Sequence, residues 1–127
     1  MIYTSCYSNV RKLIYEFGFK YQDFIGISIY EPVGFNIEFE KKLAPKKTDM
    51  WLFKNELISW KDYSLKYYDK LYDLEKKYLD NFLETYDGKV LLCYEQSDKF
   101  CHRKLLRKFL DWYFGYNFPI KEFDTKI

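Results

Sequence analysis

Histidine occurs once in this chain of 127 residues, and arginine and cysteine three times each. The cysteines, Cys6, Cys93 and Cys101, form no CxxC pair and no disulfide-framework spacing, which fits a reducing compartment. A zinc site would have to gather all three around His102. Adjacent Cys101 and His102 do not match the ligand spacings of structural zinc, so neither metal nor cofactor is expected. No apolar run approaches the roughly 18 residues of a membrane-spanning helix. The opening MIYTSCYSNVRKL lacks the basic start and apolar stretch of a signal peptide. The expectation is a cytoplasmic protein with no membrane partner. A strong net charge is also missing: 21 Lys+Arg against 19 Asp+Glu leave +2. That falls short of the basic footprint of a dedicated nucleic-acid binder.

What is abundant is aromatic: 14 Tyr, 12 Phe and 3 Trp make 23% of the chain. Hydrophobics at 48% and charge at 31% exclude a disordered chain, and the length suits one domain, 1–127, with its own core. Most rings are expected in that core, leaving Tyr30, Trp51, Tyr63, Tyr67 and Tyr94 as candidate pocket walls. Eighteen of the basic residues are Lys. Lys, Tyr, Phe, Ile and Asn all have AT-rich codons, which points to a low-GC bacterium or its phage. Against that background each Arg suggests a planar, bidentate task that Lys cannot perform.

Along the chain, residues 1–8 begin as a strand, and Asn9–Phe17 reads as a short helix. Asp23–Tyr30 is β-rich until Pro32 and Gly34 stop it. Residues 31–61 read as a long excursion with a short helix around Asp49–Glu56. Asp62–Tyr86 has uninterrupted helical periodicity in Tyr67, Leu71, Leu74, Tyr78 and Phe82, ended by Asp87-Gly88. Lys89–Tyr94 (KVLLCY) is a continuous apolar run, the pattern of a strand buried on both faces. Ser97 or Asp98 is expected to cap a last helix from about Lys99 to Tyr113, and Ile120–Phe123 to form a final strand. Strands alternating with helices predict a small three-layer α/β domain, its sheet mostly parallel and its helices on both faces.

Ligands in such sheets bind beyond the carboxyl ends of strands. Three ends carry polar groups: Thr4-Ser5-Cys6, Ser28-Ile29-Tyr30-Glu31 and Tyr94-Glu95. The third leads into Cys101-His102-Arg103, which joins one Cys, the sole His and one Arg at a helix start. Unpaired N–H groups there favour anions and lower a nearby thiol's pKa. Glu95, Cys101 and His102 are therefore the candidate catalytic residues. Thr4, Ser5, Ser28, Tyr30, Tyr67, Tyr94 and Arg103 are candidates for ligand binding. Plainer readings stand beside these. Cys101 shares a stripe with Leu105 and Phe109 and could be a small buried hydrophobe. His102 could bond a local carbonyl, and Arg103 could pair with Glu95.

The segments LLCYE (91–95) and CHR (101–103), backed by a leucine-rich helix, together resemble the bacterial, archaeal and phage domain-of-unknown-function family 488 (DUF488). IYTSCYSNVRKL resembles the family's first strand, ending in Tyr-Thr-Ser with a basic residue following, which adds Arg11 to the ligand-binding candidates. ISIYEP (27–32) and KKLAP (41–45) are similar to its second strand and its Leu-Ala-Pro loop. Tyr63 and Tyr67 fall where shorter members carry a tyrosine-bearing helix start. The resemblance implies a compact three-layer α/β fold with the CHR turn facing the end of the first strand, and it implies no particular reaction. Two departures weaken parts of it: Tyr30-Glu31 stand where many members have an Arg, and Ser97-Asp98 replace an Asp-Pro.

Three functions remain open at this stage. The first is an enzyme or enzyme-like domain acting on a small anionic ligand such as a nucleotide or nucleic-acid component. There Thr4, Ser5 and Arg103 would hold the anion, Glu95 would be the acid/base, and Cys101 could be the nucleophile. The second is a non-catalytic binding module for nucleic acid, a host protein or a nucleotide signal, with Lys41, Lys42, Lys46, Lys47 and Lys104 as a basic rim. Net charge does not favour nucleic acid. The third is assembly through surplus aromatic surface, with itself as a homo-oligomer or with partner proteins.

Overall fold

The computed structural model describes residues 1–95 and 99–123. The apolar run after Lys89 becomes strand β4 (Val90–Cys93), buried at every position. It lies between β1 (Ile2–Cys6) and β2 (Phe24–Gly26). Strand β3 (Glu38–Phe39) flanks β2 and β5 (Ile120–Glu122) flanks β1, giving the order β3-β2-β4-β1-β5. Every pair is parallel. Side chains alternate across a strand, so a strand covered on both faces must be apolar at each residue. Val90 and Leu92 pack to one side with Val10 and Leu13 of helix α1 (Val10–Phe17). Leu91 packs to the other side with Ile2, Ile25 and Ile27.

That second face is covered by α2 (Lys47–Lys54), α3 (Trp60–Tyr72), α4 (Lys76–Asp80), α5 (Phe82–Tyr86) and α6 (His102–Tyr113). Leu71, Phe82, Leu105, Leu106 and Leu110 form its interior. Burying one such side chain contributes roughly 1.5–3 kcal/mol. The chain is a small α/β domain with helices on both faces of a parallel sheet. No helix among the described residues is long and apolar enough to cross a membrane.

Several elements differ from the sequence expectation. The long helix over 62–86 is three helices. Helix α3 starts earlier, where the Ser59 hydroxyl accepts from the Asp62 N–H at 3.1 Å. A straight 25-residue helix would run about 37 Å, beyond the width of a small domain. Breaks after Tyr72 and Asp80 let Leu71, Leu79, Phe82 and Tyr86 all reach one core. The excursion over 31–61 contains β3, too short to show a pattern. The Phe39 ring lies so close over Gly26 that a Cβ there would stand 2.3 Å from it, which is why glycine ends β2. The last helix begins at His102, with Cys101 as its cap. The expected caps Ser97 and Asp98 lie outside the described residues. Only eight of the 29 aromatic residues are buried, and eleven are exposed. A domain this small has too little interior for so many rings. Many therefore pack on each other at the rim, as Trp60 and Phe100 do at 4.7 Å.

Neighbouring strands β1 and β4 send their connections to opposite faces. From β1 the chain runs through α1 and crosses β4 to reach β2; from β4 it runs through α6 and crosses β1 to reach β5. Connections that diverge in this way open a crevice beyond the strand ends.

Candidate active site

The crevice is built from the end of β4 and the start of α6. Cys101 is extended (φ −149°, ψ 141°), and its sulfur accepts from the Arg103 N–H at 3.5 Å, capping the helix with a thiol. The Cys93 sulfur, the Cys101 sulfur and a ring nitrogen of His102 all lie within 4.8 Å of one another. The spacing argument missed this cluster because Cys93 arrives from the strand. Cys6 is outside it, with its sulfur 3.1 Å from the Ser8 hydroxyl.

Arg103 is wholly buried, and its guanidinium organises the cluster. Nε and Nη2 donate to the two carboxylate oxygens of Glu122 at 3.1 and 2.8 Å. Nη1 donates to the Glu95 carbonyl at 2.7 Å and to the Cys93 sulfur at 2.9 Å, and lies 3.6 Å from the Cys101 sulfur. Burial alone would weaken its charge, but the Cys93 sulfur, the Glu122 carboxylate and the Cys101 sulfur hold it protonated. The expected fork is real, yet it points inward. A metal on the two sulfurs and His102 would sit beside this fixed cation and be repelled by it.

His102 is buried, and its Nε2 lies 2.7 Å from the Ile27 carbonyl. A carbonyl only accepts, so Nε2 carries a proton and Nδ1 remains for other work. The Tyr67 ring stands edge-on to the imidazole at 5.4 Å, and the Tyr67 hydroxyl donates to the Leu43 carbonyl at 2.6 Å. Burial would raise the Cys101 thiol. Hydrogen bonds from Cys93 and His102, with the charges of His102 and Arg103, outweigh it and lower the thiol to about 5. Burial and the neighbouring Cys101 push the Cys93 thiol well up. Within the pair, negative charge is favoured at Cys101 over Cys93. Glu95 Oε2 lies 3.6 Å from both sulfurs, and Oε1 faces Lys54 Nζ at 3.4 Å. Burial would raise the Glu95 carboxyl, but its own backbone, Lys54 and His102 keep it below the usual range.

Above these groups lies a cavity of about 50 Å3, lined by Cys101, His102, Glu95, Lys54, Ser28, Tyr30, Tyr63 and Tyr94 among others. Trp60, Phe53 and Phe100 make one wall, with Trp60 and Phe100 stacked. Through Tyr30, Met50 and Lys54 the cavity adjoins a wider groove of about 470 Å3, which adds Lys47, Thr48 and Trp51. Lys47 Nζ sits 5.3 Å above the Tyr30 ring.

Seven of the sequence candidates meet at this cavity: Ser28, Tyr30, Tyr63, Tyr94, Glu95, Cys101 and His102. Arg103 and Tyr67 lie behind it. Thr4 and Ser5 are fully buried elsewhere: the Thr4 hydroxyl donates to Glu122, and the Ser5 hydroxyl donates to the Phe123 carbonyl and accepts from Asn9. Arg11 lines a separate cleft with Tyr7, Tyr21 and Phe35. Ser28 donates to the Tyr30 carbonyl and takes a hydrogen bond from Tyr7, so its hydroxyl is committed to holding the loop. The lysines expected as a basic rim are dispersed. Lys41 donates to the Ser28 and Ile29 carbonyls, Lys42 sits over Tyr78, and Lys104 lies beside Arg107. Sequence reasoning missed Lys54 and Glu122. Glu122 had a legible signal: it shares the inward side of β5 with Ile120, and a carboxylate there needs a partner.

A family model described as the active DUF488-N3 subclade matches residues 24–113, from β2 through α6. No curated protein and no solved structure matches the chain. The match takes in β4, the CHR turn and most of the helical layer, well over half of the residues, and the chain belongs to the DUF488 family.

Proposed function

We propose that this domain is a thiol-dependent enzyme acting on a small anionic ligand of the nucleotide class, with Cys101 as the nucleophile. One observation carries the reading: the Cys101 sulfur lines the cavity while the groups around it favour its thiolate. A thiolate needs no general base to remove its proton before attack. The Ile27 carbonyl orients His102 beside it, an arrangement of nucleophile, imidazole and orienting acceptor. Glu95, within reach of both sulfurs and beside Lys54, is placed to move a proton to or from the bound ligand. The subclade's description as active accords with this reading.

The cavity takes only a few atoms of the ligand next to the sulfur. The remainder would lie in the adjoining groove, where Lys47 and Lys54 supply positive charge and Tyr30 and Trp51 supply ring faces. Arg103 is a positioning residue for the thiolate. The test is alkylation of Cys101 by iodoacetamide, mapped by mass spectrometry in the presence of individual nucleotides. Cys101 should label far faster than Cys6 at pH 6, and a cognate nucleotide should slow it at least tenfold. Equal labelling of both thiols, with no protection by any nucleotide, would overturn the reading.

A second reading, a binding module without turnover, is favoured by one fact: Cys101 is only 2% exposed. If Cys101→Ser binds the same nucleotide as tightly as the wild type, and the wild type never converts it, the module reading replaces the enzyme.

A further inference from the structure

Beyond its hydrogen bond to Cys101, Cys93 takes no part in the proposed reaction, although it is fully buried among the reactive groups beside the cavity. It is fully buried at the end of β4, between the Arg103 guanidinium and Glu95 Oε2, and its sulfur lies within 4.8 Å of the Cys101 sulfur. Seven residues separate the two cysteines in sequence, and neither is in a disulfide. We propose that Cys93 and Cys101 form an oxidisable pair, in which a small hydroperoxide oxidises Cys101 and Cys93 then closes a Cys93–Cys101 disulfide.

The chemistry balances in two steps. The Cys101 thiolate attacks one peroxide oxygen, the O–O bond breaks, and hydroxide (or the alkoxide) leaves with its electron pair, giving a sulfenic acid on Cys101. The Cys93 sulfur then attacks the Cys101 sulfur. An S–S bond forms, the S–O bond breaks, and the sulfenic oxygen leaves as water with the Cys93 proton. Glu95 Oε2, 3.6 Å from both sulfurs, is the adjacent acceptor to carry that proton. The peroxide is reduced and the two thiols are oxidised, as in the reversible first rungs of cysteine oxidation.

Access selects the oxidant. Cys101 is only 2% exposed and is reached through a cavity of about 50 Å3, room for a few waters. A bulky disulfide such as oxidised glutathione does not fit. Closure is also feasible for the fold. Cys101 precedes α6 rather than lying inside it, so its sulfur can move towards Cys93 without breaking a helical turn. Arg103 loses its contacts to anionic sulfur on oxidation, but keeps both bonds to Glu122 and the bond to the Glu95 carbonyl. Cys6 is an internal control, because its sulfur is outside the cluster. The inference stands whether or not the ligand proposed above is correct.

The experiment treats the wild-type chain with hydrogen peroxide, blocks remaining thiols and digests with trypsin without reduction. Cleavage after Lys89, Lys99 and Arg103 places the cysteines in separate peptides, 90–99 and 100–103. The expected product is the two joined, two hydrogens lighter than their sum and released by dithiothreitol, with Cys6 unmodified. Oxidised glutathione should give it at least tenfold more slowly. In Cys93→Ser, Cys101 should instead be trapped by dimedone and proceed to sulfinic acid at least tenfold more than in wild type. A wild type that yields only sulfinic acid at Cys101, or in which both thiols stay alkylatable after peroxide, overturns the proposal even if the variant fails to fold.

Discussion

Two strand ends lie side by side in this molecule and have opposite fates. β1 finishes in Thr4-Ser5-Cys6, and β4 finishes in Cys93 followed by Tyr94-Glu95. Both present hydroxyl, thiol or carboxylate groups at the carboxyl edge of a parallel sheet, where sites are expected. At β1 every such group is consumed: Thr4 by Glu122, Ser5 by Phe123 and Asn9, Cys6 by Ser8. At β4, Tyr94 and Glu95 open onto a cavity, while Cys93 stays buried beside Glu95. The difference comes from β5, which pairs with β1 as far as Thr4 and brings Glu122 and Phe123 within reach of the Thr4 and Ser5 hydroxyls. Polar residues at these strand ends make a site only where neighbouring residues have not taken up their hydrogen bonds.

The two ends meet through Glu122, which holds Thr4 on one side and Arg103 on the other. The sharpest way to break the comparison is therefore Arg103→Ala, which strands a buried carboxylate. Removing one partner of a buried ion pair costs about 3–5 kcal/mol, so urea melts should show a loss of that order. A loss under 1 kcal/mol would mean that Glu122 is hydrated and the two ends are independent. Ser5→Ala should come next. It removes buried hydrogen bonds for about 1–3 kcal/mol while leaving iodoacetamide labelling of Cys101 unchanged. An altered Cys101 rate would place Ser5 in the site after all.

Cys101→Ser tests the electrostatics of the open end. The thiol is lowered to about 5 when folded against about 8.5 for a free cysteine. The unfolded chain thus binds more protons between these values, and stability contributed by this group rises with pH from 5 to 8.5 and is lost as pH falls through 5. The wild type should show that slope in denaturant melts, and Cys101→Ser should flatten it. Wild-type alkylation of Cys101 should correspondingly be almost constant from pH 6 to 8, where an ordinary thiol gains tenfold per unit. The smallest structural effect is expected from Trp51→Ala. Its ring is exposed in the groove, so stability should change within about 0.5 kcal/mol while nucleotide protection of Cys101 falls severalfold.

The element types were largely legible because their patterns are local. The apolar run at β4, the helical stripe of Leu105 and Phe109, and Gly88 as a boundary all act over a few residues. The break of 62–86 into three helices was not legible. Tyr67, Leu71, Phe82 and Tyr86 fit helical periodicity equally well with or without a turn between them, and only the width of the core decides. Within the site, Glu95, Cys101 and His102 were readable as rare residues at a strand end and helix start. Cys93 was hidden because β4 carries it as one more small apolar residue. Arg103 was found, but its direction was not, since a guanidinium can point to either side of a helix start.

The sequence by itself determined that this chain forms parallel strands and amphipathic helices, and that its chemistry concentrates between residues 91 and 103. Those properties follow from hydrophobic period and residue chemistry over short spans. Only the tertiary structure decided which cation serves which anion. Glu122, nineteen residues beyond Arg103, takes the guanidinium, and Cys93 meets Cys101 from the neighbouring strand end. Burial makes those pairings obligatory, because a charge without a partner in the interior costs more than the fold can bear. The scarce residues marked the site, and packing assigned their partners.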